Sequence, residues 1–248
     1  MIEMHTLKKR FDTVQALDGM NLSAPDGQVT GLIGPNGAGK TTAFRIVYGL
    51  LQADEGLARV DGVDVAEDRM LAQRQLGVLP DVRGLYPRLT AREHIRYFGT
   101  LHGASGQALE DDIDELVERL GMQDFADRLA KGYSRGQELK VALGRAMVHR
   151  PKNLILDEPT NGLDVMSSRA VRELIVEMKN QGHCILLSSH IMSEVSALCD
   201  RLIIVAGGRV VCEGTPDQLC RENGVDNLED LFVQVLAEHD ALDQEAAQ

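Results

Sequence analysis

Short apolar runs separated by turns occupy both ends of the chain, and a stretch of helical periodicity lies between them. Over residues 1–65, the runs MIEMHTLKKRF, DGQVTGLIG and GLARVDGVDV, the last with its Asp61-Gly62 turn, predict strands of an antiparallel sheet. Leu76 to Leu79 predicts a further strand. From Thr90 to Arg150 the pattern is helical. There Ile113, Leu116, Val117 and Leu120 share one face of a helix whose other face is acidic and solvated. After Pro151 strands return as NLILDE, HCILLSS, RLIIVAGG and RVVCEG, with helical stretches over Ser167 to Lys179 and Met192 to Cys199. Such alternation predicts a mostly parallel sheet with helices on its faces, and makes residues 82–150 an inserted helical subdomain. The tail from Glu238 to Gln248 is polar and acidic and predicts a frayed end.

One strand–loop–helix unit carries chemistry. Gln28 to Ile33 reads as a buried strand after the Asp26-Gly27 turn, and Ala43, Ile46, Val47 and Leu50 recur at helical spacing. Between them GPNGAGKTT puts Gly34, Gly39, Lys40 and Thr41 in the places of G-x-x-x-x-G-K-[ST]. Backbone N–H groups of such a loop, here also those of Asn36, Gly37, Ala38 and Thr42, turn inward around phosphate oxygens. Glycine lets the backbone approach the ligand, and the following helix adds its positive dipole end. Lys40 is placed for the β and γ phosphates of a nucleotide and the Thr41 hydroxyl for Mg²⁺. Downstream, the apolar strand LILDE ends in two carboxylates, Asp157 and Glu158. Charge at the carboxyl edge of a sheet costs desolvation unless a ligand or cation offsets it. Asp157 therefore suits Mg²⁺, directly or through water, and Glu158 suits the polarisation of an attacking water. The structural alternatives are a chance glycine-rich turn and a strand end emerging into solvent.

Composition narrows the partners. The chain has 248 residues, enough for one large α/β domain or two small ones, and 44% are hydrophobic. A formal net charge of -12 argues against a nucleic-acid binder. Four cysteines without a C-x-x-C pair suggest reduced thiols rather than a zinc site or disulfides. With no signal core and no apolar run long enough to span a bilayer, any membrane role is expected to be by docking.

The segment YSRGQELKVALGRAMVHRPKNLILDEPTNGLD, Tyr133 to Asp164, resembles the ATP-binding subunit of ABC transporters. Ser134, Arg135, Gly136 and Gln137 stand where that family has its L-S-G-G-Q signature, Asn161 to Asp164 resembles its D-loop, and His190 in LLSSHIMSEV matches its switch histidine. The resemblance covers residues 1–235 and implies one ABC ATPase domain of P-loop NTPase type. Its parts would be a core over 1–81 and 151–220 with an antiparallel β subdomain, and a helical subdomain over 82–150. A C-terminal extension with an acidic tail, 221–248, would follow. It further implies that Phe11 stacks on adenine, that His190 hydrogen-bonds the γ-phosphate, and that ATP and Mg²⁺ are bound. In such subunits two copies pair head to tail, here as a homodimer. Ser134, Gly136 and Gln137 then close the partner's ATP in trans, with Asp164 of the D-loop at the dimer contact.

Two positions depart from the family pattern. Asp81 stands where the family has the glutamine of its Q-loop, and it is expected to stay near Mg²⁺. Arg135 replaces a signature glycine, and its side chain either faces solvent or adds positive charge near the γ-phosphate. Val82 to Thr90 reads as a groove for the coupling helix of a membrane permease, with Val82, Leu85, Tyr86 and Leu89 in contact, or as a plain subdomain hinge. The segments RGLYPRLTAREHI, LDVMSSRA and DNLEDLF are similar to subunits associated with sodium extrusion and, more broadly, with two-component exporters. The resemblance thus implies an ATPase at the cytoplasmic face of the membrane that powers a permease on a separate chain. The rival readings are a soluble ABC-type ATPase that remodels a cytoplasmic assembly, and a nucleotide-gated binding module with little turnover.

Overall fold

The structure, a computed structural model, describes residues 1–246. Strands β1 (Ile2–Phe11) and β2 (Val14–Ala24) form an antiparallel hairpin across Asp12 and Thr13, with Asp12 at φ 48°. β3 (Val29–Ile33), buried along its whole length, runs through the glycine-rich loop into α1 (Lys40–Val47). β4 (Glu55–Val60) and β5 (Val63–Asp64) follow, then α2 (Arg69–Arg74) and β6 (Leu76–Leu79). Three helices come next, α3 (Ala91–Leu101), α4 (Gly106–Arg119) and α5 (Arg135–Met147). The remainder alternates: β7 (Asn153–Asp157), α6 (Val165–Asn180), β8 (Cys184–Ser188), α7 (Met192–Leu198), β9 (Arg201–Ala206) and β10 (Arg209–Gly214). It closes with α8 (Pro216–Glu222) and α9 (Leu228–Ala246).

Two sheets result. The first has the order β2-β1-β4-β5 and is antiparallel; the second has the order β10-β9-β3-β8-β7-β6 and is parallel except for β10. The central strands are continuous apolar runs because both faces are covered. Alternate residues go to opposite sides: Leu154, Leu156, Ile185 and Leu187 face the cluster with the helical block, while Ile155, Leu186, Ile203 and Val205 pack with α1 and the antiparallel sheet.

Three expectations change, and one strand goes unpredicted. DGQVTGLIG belongs to the parallel sheet, not the antiparallel one, because Val29–Ile33 pairs with β8 and β9. The second strand of the hairpin, β2, carries only a weak apolar alternation and goes unpredicted. Leu50 lies beyond α1, which stops at Val47, and it is exposed. The acidic tail continues as the last turns of α9 through Ala246, with only its final two residues outside the described ones. The block from Thr90 to Arg150 is helical in three pieces, with residues 121–133 forming turns between α4 and α5. Capping boxes start two of these helices: Thr90 with Glu93 on α3, and Ser134 with Gln137 on α5.

Candidate nucleotide site

The strand order brings three carboxyl ends together. β3 delivers the glycine-rich loop, and β7 and β8 deliver Asp157 and Ser188, which are register partners. Open parallel sheets bind ligands at such an edge. In the loop, Gly37 and Gly39 take φ of 85° and 100°, and a Cβ on Gly39 would stand 2.5 Å from the Ala16 carbonyl oxygen on β2. Only glycine meets both demands. The close approach also locates the hairpin: Phe11 lies at its turn, exposed, with Lys9 Nζ 5.6 Å from the ring centroid.

Lys40 folds back over the loop and donates to the Gly34 carbonyl at 2.5 Å and to that of Pro35 at 3.1 Å. Burial pushes its ammonium below the usual lysine range, opposed by the charges of Glu158 and Asp157. Thr41 is exposed in the first turn of α1, next to half-buried Thr42, and Asn36 and Gly37 are exposed beside buried Ala38. Asp157 is buried, and burial raises its carboxyl above the ordinary range. The Ser188 hydroxyl, which donates to Asp157 Oδ1 at 2.5 Å, works against that shift, whereas the charge of Asp81 adds to it.

Glu158 leaves the strand at φ 51°, a left-handed conformation that glutamate rarely adopts. Its amide donates to the Ser188 hydroxyl at 3.1 Å and to the Ser188 carbonyl at 3.2 Å. The kink turns its carboxylate towards His190, whose Nδ1 is 2.8 Å from Glu158 Oε2. Lys40, Asp157, Glu158 and His190 therefore share one edge of the sheet. Ser188 is a residue that sequence reasoning missed. Its only signal is a hydroxyl closing the apolar strand CILLS, two places before His190.

Ser134 caps α5, and Gly136 and Gln137 lie in its first turn. The Ser134 hydroxyl accepts the Gln137 amide at 3.3 Å, and Gln137 Oε1 accepts the Ser134 amide at 3.0 Å. Asp164 caps α6, accepting from the Ser167 amide and hydroxyl at 2.9 and 2.7 Å, and both bonds hold its carboxyl below the ordinary range. Asp81 is exposed and lines a cleft of about 360 Å³ with Arg83, Arg135, Glu138 and Asn161. Beside it Val82 is 80% and Tyr86 52% exposed, whereas Leu85 packs against the core and Leu89 is half-buried. Buried His94 orders this segment: its Nε2 accepts the Tyr86 amide at 2.8 Å, and its Nδ1 meets the Thr90 carbonyl at 2.7 Å.

Residues 17–161 match the family described as ABC transporter. The chain is also 38% identical over 241 residues to the ABC transporter ATP-binding protein NatA of Bacillus subtilis, spanning 95% of this chain and 98% of that protein. The chain belongs to the ABC transporter ATP-binding family. The daunorubicin resistance ATP-binding protein DrrA3 of Streptomyces coeruleorubidus is 35% identical over 90% of this chain and 70% of its own length. Among solved structures, an ATP-binding subunit of an ABC transporter superposes with a TM-score of 0.88 at 29% identity, over 95% of this chain and 99% of that one. Members of the ABC ATP-binding family bind ATP and hydrolyse it to power transport. No helix among the described residues is long and apolar enough to cross a membrane.

Proposed function

We propose that the chain is the motor of a two-component exporter. On this reading ATP binding closes two copies head to tail, closure drives a permease on a separate chain, and hydrolysis resets the pair. The observation that carries it is the Glu158–His190 contact of 2.8 Å at the edge where Lys40 and Asp157 also stand.

In this assignment Lys40 and the loop amides of residues 34–42 hold the phosphates, and Phe11 stacks on adenine. Glu158 takes the proton of the attacking water, and His190 orients Glu158 and the γ-phosphate. Ser134, Gly136 and Gln137 complete the partner's site, with Asp164 at the contact between copies. Thr41, Asp157 and Asp81 offer hard oxygen donors, a set that suits Mg²⁺ arriving with substrate phosphates. These residues would hold Mg²⁺, which when bound would supply neutralisation of the nucleotide's phosphate charge. Residues 1–235 form one ATPase domain in our division, with 82–150 as its helical subdomain and 221–248 as an extension. Val82, Leu85, Tyr86 and Leu89 dock the permease at the cytoplasmic face of the membrane, and sodium ions are the cargo suggested by kinship of the surrounding segment.

Glu158→Gln protein, captured with ATP and Mg²⁺ from detergent-solubilised membranes, tests this. It is expected to bind ATP without turnover, to sediment as a dimer, and to bring down a multi-spanning protein in stoichiometric amount. Recovery solely with a ribosome or another soluble assembly would instead favour a remodelling ATPase.

A further inference from the structure

The signature and the D-loop of one chain touch, and the residue that joins them is one of the two that depart from the family pattern. Arg135 opens α5 beside the turn at residues 159–163, where Gly162 has φ 72°. The guanidinium occupies the space above Gly162. A Cβ there would collide with Nη1 and lie 3.4 Å from Cζ. A second contact runs parallel, since a Cβ on Gly136 would stand 3.0 Å from the Ser167 hydroxyl that Asp164 holds. The turn is tied by the Asn161 amide to the Glu158 carbonyl and the Leu163 amide to the Thr160 carbonyl, both at 3.2 Å, and at its start by the buried Thr160 hydroxyl, which donates to Glu194, whereas no bond to the exposed Gly162 side of the turn is among these. On its other side, the Arg135 carbonyl accepts from Arg83 Nη1 at 3.4 Å, in the cleft that Asp81 and Asn161 also line. Arg135 is exposed to solvent, as one of the two expected placements had it, and its guanidinium rests against Gly162.

We infer that Arg135 is a positioning residue: its planar guanidinium clamps the D-loop turn to the signature turn of the same chain, so that both reach the partner copy as one rigid unit. A glycine turn is the most mobile kind of backbone, and a flat cation laid on it removes that freedom without needing a carboxylate. The consequence for catalysis rests on the head-to-tail dimer proposed above; the clamp itself does not.

Amide hydrogen exchange and steady-state ATP turnover on the full chain test the inference together. In Arg135→Ala, exchange over residues 161–164 is expected to rise about tenfold while that of residues 34–42 stays unchanged. Its unfolding midpoint should move by no more than about 2 °C. Turnover should fall about tenfold with the KM for ATP within about twofold, and Arg135→Lys, lacking the planar fork, should recover only part of the loss. Gly162→Ala thrusts a methyl into the guanidinium. Adding Arg135→Ala removes that collision, so the double variant should lose less than the product of the single losses. Unchanged exchange in Arg135→Ala, or single losses that simply multiply, would overturn the clamp. A wild-type chain without turnover would defeat the ATPase reading instead, and the exchange result would still decide the contact.

Discussion

Ser188 and Asp157 face each other across β8 and β7, joined by a hydroxyl-to-carboxylate hydrogen bond of 2.5 Å. The same hydroxyl accepts the Glu158 amide, so one side chain holds the Asp157 carboxylate and the backbone from which the Glu158 side chain departs. Ser188→Ala leaves a buried carboxylate short of a donor, a loss on the order of 1–3 kcal/mol. Thermal unfolding should show that drop, and turnover should fall about tenfold through misplacement of both acids. Wild-type kinetics in this variant would refute the bracket.

His190→Ala should lower kcat by roughly 10²-fold or more with little change in KM, because the ring meets Glu158 and not the phosphate loop. An effect confined to KM would place His190 in binding instead.

Lys40 is a half-buried cation that donates to two carbonyl oxygens, and burial lowers its pKa. An ion pushed below its ordinary range destabilises the fold before ligand arrives. Lys40→Met is therefore expected to leave the midpoint of nucleotide-free protein equal or higher, and to abolish the upward shift that ATP produces. A cooperative drop in the nucleotide-free midpoint would contradict this.

His149 stacks on His102 with ring centroids 3.6 Å apart, and burial, with the charge of His102, pushes its pKa down to about 4 from 6.5. Between those values the unfolded chain binds a proton that the folded chain refuses, so stability falls as pH drops through the window, and the loss is complete below about 4. Urea unfolding should show on the order of 2 kcal/mol lost between about pH 6.5 and pH 5 from this group, and His149→Gln should flatten the slope.

Val82→Glu puts a charge on the most exposed apolar residue of the proposed docking segment. Co-purification of a permease should be lost while nucleotide binding and folding stay as in the wild type. Retained capture would move the docking surface elsewhere.

Much of the site was legible because its signals are local. The spacing of Gly34, Gly39, Lys40 and Thr41 marks an anion loop wherever it occurs between strand and helix. Asp157 and Glu158 stand out because carboxylates at the end of LILDE have no packing reason to be there. The capping box that starts α5 at Ser134 went unpredicted although its signal is equally local, lying within four residues. Ser188 was not legible: a serine closing a strand is ordinary until β7 lies beside β8, and only the parallel register brings it onto Asp157.

The chain by itself determined which segments become strands and helices in the parallel half, the loop that cradles an anion, and the residue types available for acid, base and metal work. These follow from periodicity and backbone sterics over a few residues. Tertiary structure decided the rest. It moved Val29–Ile33 into the central sheet, laid Ala16 against Gly39, turned Glu158 towards His190, and set Arg135 over Gly162. Each of these depends on contacts between residues far apart in the chain or on a left-handed kink imposed from outside, and no local pattern encodes either.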